Sequence, residues 1–256
     1  MITKYGDDIV NATKDFAKSD AKEAIELINT YGDDALKMVK SKQSGDLVKK
    51  VCEGLKKNNI SFDEFQDLKL KDINELRQDE VDILYNIRER IKIDKGTRLK
   101  KVFTDADARN FYIDKITSNN EISGFVSRAE DSKYLSHNYK DVVETYRLDY
   151  TVKGKRPFPD GGNCHWEMEF NLESSNDISK FKKPYGSKFG GTKEVEYPCT
   201  GNAFTGAENG TTIPEWEWGL EERVKIKDGA TLNKYVDGKI AEQYIFKSNL
   251  GRWIKL

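Results

Sequence analysis

"HWEMEFNL", His165 to Leu172, is the stretch on which the fold turns. Polar His165, Glu167, Glu169 and Asn171 alternate with apolar Trp166, Met168, Phe170 and Leu172, which is the two-residue period of a half-buried strand. Working outward, "ISGFVS" (Ile122 to Ser127), "YRLDYT" (Tyr146 to Thr151), "ERVKIK" (Glu222 to Lys227), "KIAEQYIFK" (Lys239 to Lys247) and "RWIKL" (Arg252 to Leu256) read as further strands. Glycine-rich turns such as "PDGGN" and "FGGT" separate them. Between them, "TDADARNFYIDKI" reads as a helix capped by Thr104, and "AEDSKYLSHNYKDVVETY" as helix in two pieces.

Upstream of about Lys101 the pattern is helical. "DAKEAIELINTYG" places Ala21, Ala24, Ile25 and Ile28 on one face, with Asp20 as N-cap and Gly32 at the far end. "DEVDILYNIRERI" turns Val81, Leu84, Tyr85 and Ile91 inward and Glu80, Asp82, Arg88 and Arg90 outward. "YGDD" occurs at Tyr5 to Asp8 and again at Tyr31 to Asp34, each time ahead of an aliphatic helical stretch, and helix starting explains both copies. The expected fold class is therefore α+β: a helical N-terminal part, 1–101, followed by a mixed, mainly antiparallel sheet domain with helices, 102–256.

The 256 residues are enough for a sizeable core, and 34% charged residues with a mean hydropathy of −0.76 imply a heavily charged surface. Forty-three basic residues against 44 acidic ones leave no global field toward nucleic acid or an anionic membrane. No apolar run approaches the ~20 residues of a membrane span, and "MITKYGDDIV" lacks the apolar core of a signal peptide. Three scattered cysteines, Cys52, Cys164 and Cys199, fit reduced thiols, with a Cys164 to Cys199 bridge left open.

Two histidines are present, His137 and His165. Neither stands at a zinc-ligand spacing from a cysteine or carboxylate, so no metal is expected. The pair could instead serve as acid and base in a metal-independent ribonuclease, although a surface histidine and a strand-starting histidine account for the positions more simply. "KGKRP", Lys153 to Pro157, is a local basic loop that would suit such a nuclease. Phosphate-cradling and serine-hydrolase signatures are missing from the sequence.

Glu215 and Glu217 alternate with Trp216 and Trp218, so in a strand the glutamates share one face and the tryptophans the other. A carboxylate pair beside an aromatic wall suits an oxocarbenium-like transition state, and an edge strand with solvated glutamates explains it as well. Arg147, taken as mid-strand, calls for a planar acceptor, which is either a ligand or Asp149 two positions on.

The segments "ISGFVSRAEDSKYL", "YRLDYT", "YPCTGNAFTG" and "IPEWEW", in this order, resemble the C-terminal toxin domain of bacterial polymorphic toxins, and the helical first part resembles their pretoxin stretch. An early arginine, a hydroxyl-rich segment and a late glutamate follow the order of the ADP-ribosyltransferase-like fold. The resemblance implies an effector delivered to the target-cell cytoplasm, where it consumes NAD as a glycohydrolase or ADP-ribosyltransferase, without a metal. A cognate immunity protein would be its partner, together with NAD and a target protein. On this reading Arg147 holds a phosphate or ribose oxygen, Thr200 and Asn202, with Thr205 in the same loop, fix the ribose, and Phe204 or Trp216 stacks on nicotinamide. Glu215 or Glu217 is catalytic, with Glu222 in a rival register. The alternatives are a toxin nuclease acting through His137 and His165, and a non-enzymatic binding module anchored by Trp216 and Trp218.

Overall fold

The computed structural model describes residues 6–114, 121–172, 178–192, 194, 198–218 and 223–256. Two compact units emerge, and neither is continuous in sequence. The first joins Met1–Lys92 to Asp131–Leu135 and Tyr185–Pro214; the second comprises Ile93–Glu130, Ser136–Pro184 and Glu215–Leu256.

The first unit is built on α1 (Gly6–Thr13), α2 (Lys18–Tyr31), α3 (Asp33–Lys40), α4 (Gly45–Asn58), α5 (Phe62–Leu70) and α6 (Gln78–Arg88). Each buries an aliphatic stripe, including Leu27 and Ile28 of α2, Val48 and Val51 of α4, and Leu84 and Ile87 of α6. The turns between them carry local capping signals, of which Gly32 was the expected one. Gly32 sits at φ 66 between α2 and α3, and Ser61 and Glu64 form a reciprocal capping box at the start of α5.

Two expectations about polar positions change here. α2 begins at Lys18, so Asp20 lies in its first turn rather than at the N-cap, and its carboxylate accepts from Lys133 Nζ (2.6 Å) and Tyr134 Oη (2.7 Å). Arg88 and Glu80, expected outward, are both buried. The reason for Arg88 is the incoming segment 185–214: its Nε donates to the Ala203 carbonyl and its Nη1 to the Ile91 carbonyl, each at 2.9 Å. Lys69, likewise buried, donates to the carbonyls of Thr211 (2.6 Å) and Ala207 (3.2 Å). An irregular buried chain leaves carbonyls without ladder partners, and the two cations satisfy them.

The second unit centres on a seven-stranded antiparallel sheet. Its strands are β1 (Arg98–Phe103), β3 (Gly124–Arg128), β4 (Cys164–Asn171), β5 (Trp216–Trp218), β7 (Thr231–Val236), β8 (Lys239–Lys247) and β9 (Arg252–Lys255), ordered β5-β3-β1-β4-β7-β8-β9. β2 (Glu121–Ile122) and β6 (Val224–Lys225) form a separate two-stranded ladder. The α+β class holds, with helices toward the N-terminus and the sheet toward the C-terminus. β1 spans the position at which the helical pattern was expected to end, and Thr104 caps the short α7 (Asp105–Ala108) by accepting from the Asp107 amide. "YRLDYT" is not a strand. α8 (Tyr139–Tyr146) runs through its first residue, and Arg147 ends that helix in the left-handed region at φ 48.

Registers fix what each sheet face carries. Leu99 pairs with Phe170, Lys101 with Met168 and Phe103 with Trp166; Met168 pairs in turn with Leu232, and Leu232 with Tyr244. Directly paired residues point the same way, so this face is the apolar core, on which Phe103 and Trp253 pack edge-on against Tyr112. The opposite face is polar: Lys100 pairs with Glu169, Glu167 with Asn233, and His165 with Tyr235.

Candidate functional site

On that polar face the period-two alternation of β4 delivers His165 and Glu167 side by side, and β1 delivers Lys100 beside them. His137 arrives from the loop ahead of α8. Asn138 caps that helix, its side chain accepting from the Lys140 amide at 3.1 Å, so the chain enters α8 in a fixed direction with His137 one residue outside. The β7–β8 hairpin turns through Asp237 (φ 50) and Gly238 (φ 76), and its tip lies against the backbone of His137 and Asn138.

All four groups meet at the Glu167 carboxylate. Its Oε1 lies 3.0 Å from His137 Nδ1 and 3.2 Å from His165 Nε2, and its Oε2 lies 3.0 Å from Lys100 Nζ. Tyr235 stacks on both imidazoles, at 4.3 Å from the His137 centroid and 5.2 Å from that of His165. Exposure separates their roles. The side chains of His165, Glu167 and Lys100 are 1%, 3% and 4% exposed, whereas that of His137 is 32% exposed. His137 is the one of the four that a solute reaches.

The electrostatics follow from burial and pairing. Burial alone would raise the Glu167 carboxyl, but hydrogen bonds from His137 and His165 and the Lys100 charge outweigh it and hold the group well below the usual carboxylate range. Burial likewise works against a charged Lys100, and Tyr146, Glu167 and Glu169 overcome it, leaving the ammonium above its ordinary value. Burial, followed by the Glu167 charge, pushes Tyr235 up to about 12. An ionised Glu167 accepts from His137 Nδ1–H, which leaves His137 Nε2 as a lone-pair nitrogen directed away from the carboxylate. On the same face, His165 Nδ1, Ser127 Oγ and Asn233 Oδ1 are buried without a hydrogen-bond partner among the described residues.

The positions singled out for NAD chemistry divide between the units. Arg147, Glu215, Trp216 and Glu217 lie in the sheet unit; Thr200, Asn202, Phe204 and Thr205 lie in the helical unit. Arg147 Nε and Nη2 each lie 3.1 Å from an oxygen of Asp149, so the acceptor two positions on is among those it takes. Thr200 Oγ1 shares its one proton between Asn202 Oδ1 (2.7 Å) and the Phe204 carbonyl (3.0 Å), and Asn202 Nδ2 donates to the Lys69 carbonyl (2.9 Å). These hydroxyl and amide groups shape their own loop. The Phe204 ring is buried edge-on to Phe65, and Thr205 is buried too. β5 has the expected two faces, with Trp216 and Trp218 buried and Glu215 and Glu217 half-buried. Glu215, with Asp107, lies close enough to Lys101 to support its charge, against the stronger effect of burial, which pushes that ammonium down to about 8. Glu222 lies outside the described residues.

Sequence spacing passed over the cluster because its members come from three elements. His165 and Glu167 sit two apart on one strand, Lys100 lies on the neighbouring strand, and His137 precedes a helix. The alternation in "HWEMEFNL" was the available signal, since it places a histidine and a carboxylate on one face. The three cysteines are free thiols, with Cys52 buried and its thiol pushed up to about 12 by that burial.

No family model, no curated protein and no solved structure matches this chain.

Proposed function

We propose that the chain is an effector toxin that cleaves RNA, with His137 as its general base. The observation that carries this reading is the contact between His137 and a carboxylate that is buried, ionised and clamped by Lys100 and His165. A carboxylate behind an imidazole fixes its tautomer and orientation. His137 Nε2 takes the proton of a ribose 2′-hydroxyl, the resulting oxygen attacks the adjacent phosphorus, and the 5′-oxygen departs with a proton from solvent. RNA suits a site with one accessible base because its nucleophile is internal to the substrate. His165 is too buried to be the opposite acid, and its role is to hold Glu167.

A polyanion has support nearby. Val152 and Lys155 close a short bridge around Lys153 and Gly154, both at positive φ, and this turn exposes Lys153 and Lys155. The same loop packs on the first turn of α8, where Tyr139 Oη donates to the Pro159 carbonyl at 2.9 Å. The toxin setting and a cognate immunity protein rest on the sequence resemblance. The test is incubation of total RNA with the purified chain: cleavage to products ending in 2′,3′-cyclic phosphate, lost in His137→Ala, supports the reading, and intact RNA over hours removes it.

One observation favours a second reading, NAD consumption: Glu215 stands half-buried beside Lys101 at the edge strand. Nicotinamide release that disappears in Glu215→Gln and persists in His137→Ala would establish that reading in place of the first.

A further inference from the structure

We infer that His137 Nδ1, His165 Nε2 and Glu167 Oε1 form a binding site for one zinc-type divalent cation, and that filling it silences His137. The three donor atoms lie within 4.8 Å of one another. Two of the three edges, from Oε1 to each imidazole nitrogen, measure 3.0 and 3.2 Å. Donors around a tetrahedral zinc with bonds of about 2.0–2.1 Å stand about 3.3 Å apart. Two edges are thus close to the required length, and the third lies within 4.8 Å. Two imidazoles and one carboxylate make a donor set for zinc and its neighbours rather than for magnesium or calcium, which take oxygen. Exposure of His137 gives the ion an entry path and leaves its fourth position to water.

The surroundings are those of a prepared site. Glu167 cannot swing away, because Lys100 keeps its other oxygen and neutralises part of the charge that stays there. His165 is fixed in the sheet by its strand pairing and by the Tyr235 ring. Its Nδ1 is buried and unpartnered among the described residues, so the ring gains nothing there from either tautomer. Freeing Nε2 for a metal gives up its 3.2 Å contact with Glu167, which the bond to the ion replaces, and places the proton on the buried Nδ1.

Proton balance supplies the consequence. With both rings neutral, ligation moves the His137 proton from Nδ1 to Nε2 and the His165 proton from Nε2 to Nδ1, and none is released. His137 Nε2 then carries a proton and no lone pair, so it cannot act as a base. This last clause rests on the RNA-cleaving reading; the binding site does not.

Titration of the chelator-treated full chain with Zn2+, followed by calorimetry, is the first arm. One equivalent should bind, and His137→Ala and Glu167→Gln should each weaken binding at least tenfold. Co2+ in place of Zn2+ should give visible d–d bands of a nitrogen and oxygen site without thiolate charge transfer, unchanged in Cys164→Ser and Cys199→Ser. The Co2+ spectrum also keeps the proposal testable if a variant folds poorly, since a wild-type spectrum with thiolate bands, or no binding near one equivalent, overturns the site. In the second arm, RNA cleavage should persist in chelator and fall at least tenfold as Zn2+ reaches saturation. Cleavage abolished by chelator and restored by Zn2+ would overturn silencing in favour of a cofactor. Absence of RNA cleavage under every condition would sink the functional reading and, with it, the silencing clause, while the calorimetric and Co2+ results would still decide the site.

Discussion

Lys69 and Arg88 in the helical unit and Lys100 in the sheet unit are all buried cations, and the partners described for them differ in kind. The first two donate to backbone carbonyls of Ala203, Ala207, Thr211 and Ile91. Lys100 faces carboxylates, with Glu167 at 3.0 Å and Glu169 at 3.8 Å. A cation on carbonyls replaces a missing ladder and serves the path of the chain. A cation on a carboxylate fixes an ionisation state, which matters where another group depends on that carboxylate, as His137 does. Burial of charge is therefore no mark of function by itself; the chemistry of the acceptor tells the cases apart.

The comparison breaks most readily at Arg88. Arg88→Ala should cost about 4 kcal/mol, combining a cavity beneath Phe204 with buried carbonyls left unpaired. Denaturant midpoints would show it, and activity per folded molecule should be unchanged. A loss under 1 kcal/mol would mean that the 185–214 segment does not depend on this anchor.

Glu167→Gln should be next, at about 3 kcal/mol, because it leaves Lys100 buried opposite a neutral amide. It also carries a pH signature. The folded Glu167 pKa is depressed, so its contribution is fully present above the unfolded value of about 4.3 and is lost as pH falls through the lower folded value. Wild-type stability should decline on acidification below about pH 4.3 more steeply than that of Glu167→Gln, and equal slopes in urea melts across that range would contradict the assignment.

How much of this was open to the sequence depends on the distance over which each feature is decided. β4 and β8 were legible because their alternation is a local property, and the Thr104 cap because its partner is three residues away. Arg88 was not: helical periodicity assigned it to solvent, and nothing within α6 announces that residues 203–211 will cover that side. β1, "RLKKVF", and β7, "TLNKYV", escaped notice because a sheet with one polar and one apolar face puts lysines into both strands. Arg147 was misread since "YRLDYT" alternates like a strand, while α8 runs into it from upstream. The cluster of Lys100, His137, His165 and Glu167 is the extreme case, four residues from three elements with no fixed spacing.

His137→Ala sharpens the contrast from the other side. With a side chain 32% exposed, one hydrogen bond to the ionised Glu167 and a stack on Tyr235, it should cost about 2 kcal/mol of stability. Its cleavage rate should nevertheless fall by roughly 10²–10⁴-fold, the range for loss of a general base. A variant that melts like wild type and cleaves at the wild-type rate would reduce the polar face to a structural network.

Thr205→Val is the smallest effect and tests the helical unit on its own terms. Thr205 is buried, its amide donates to the Ile213 carbonyl at 2.9 Å, and its Oγ1 has no partner among the described residues. Valine matches its shape, keeps the amide bond and removes a hydroxyl that lost its water on folding without gaining a partner. An unsatisfied buried polar atom is a cost, so the replacement should leave stability unchanged or raise it by up to about 1 kcal/mol. If the loop from Thr200 to Thr205 serves only to thread the chain through the helical unit, activity should not move either. Full stability with a large loss of turnover would instead show that this hydroxyl meets a substrate, as the sequence expectation for the hydroxyl-rich segment has it.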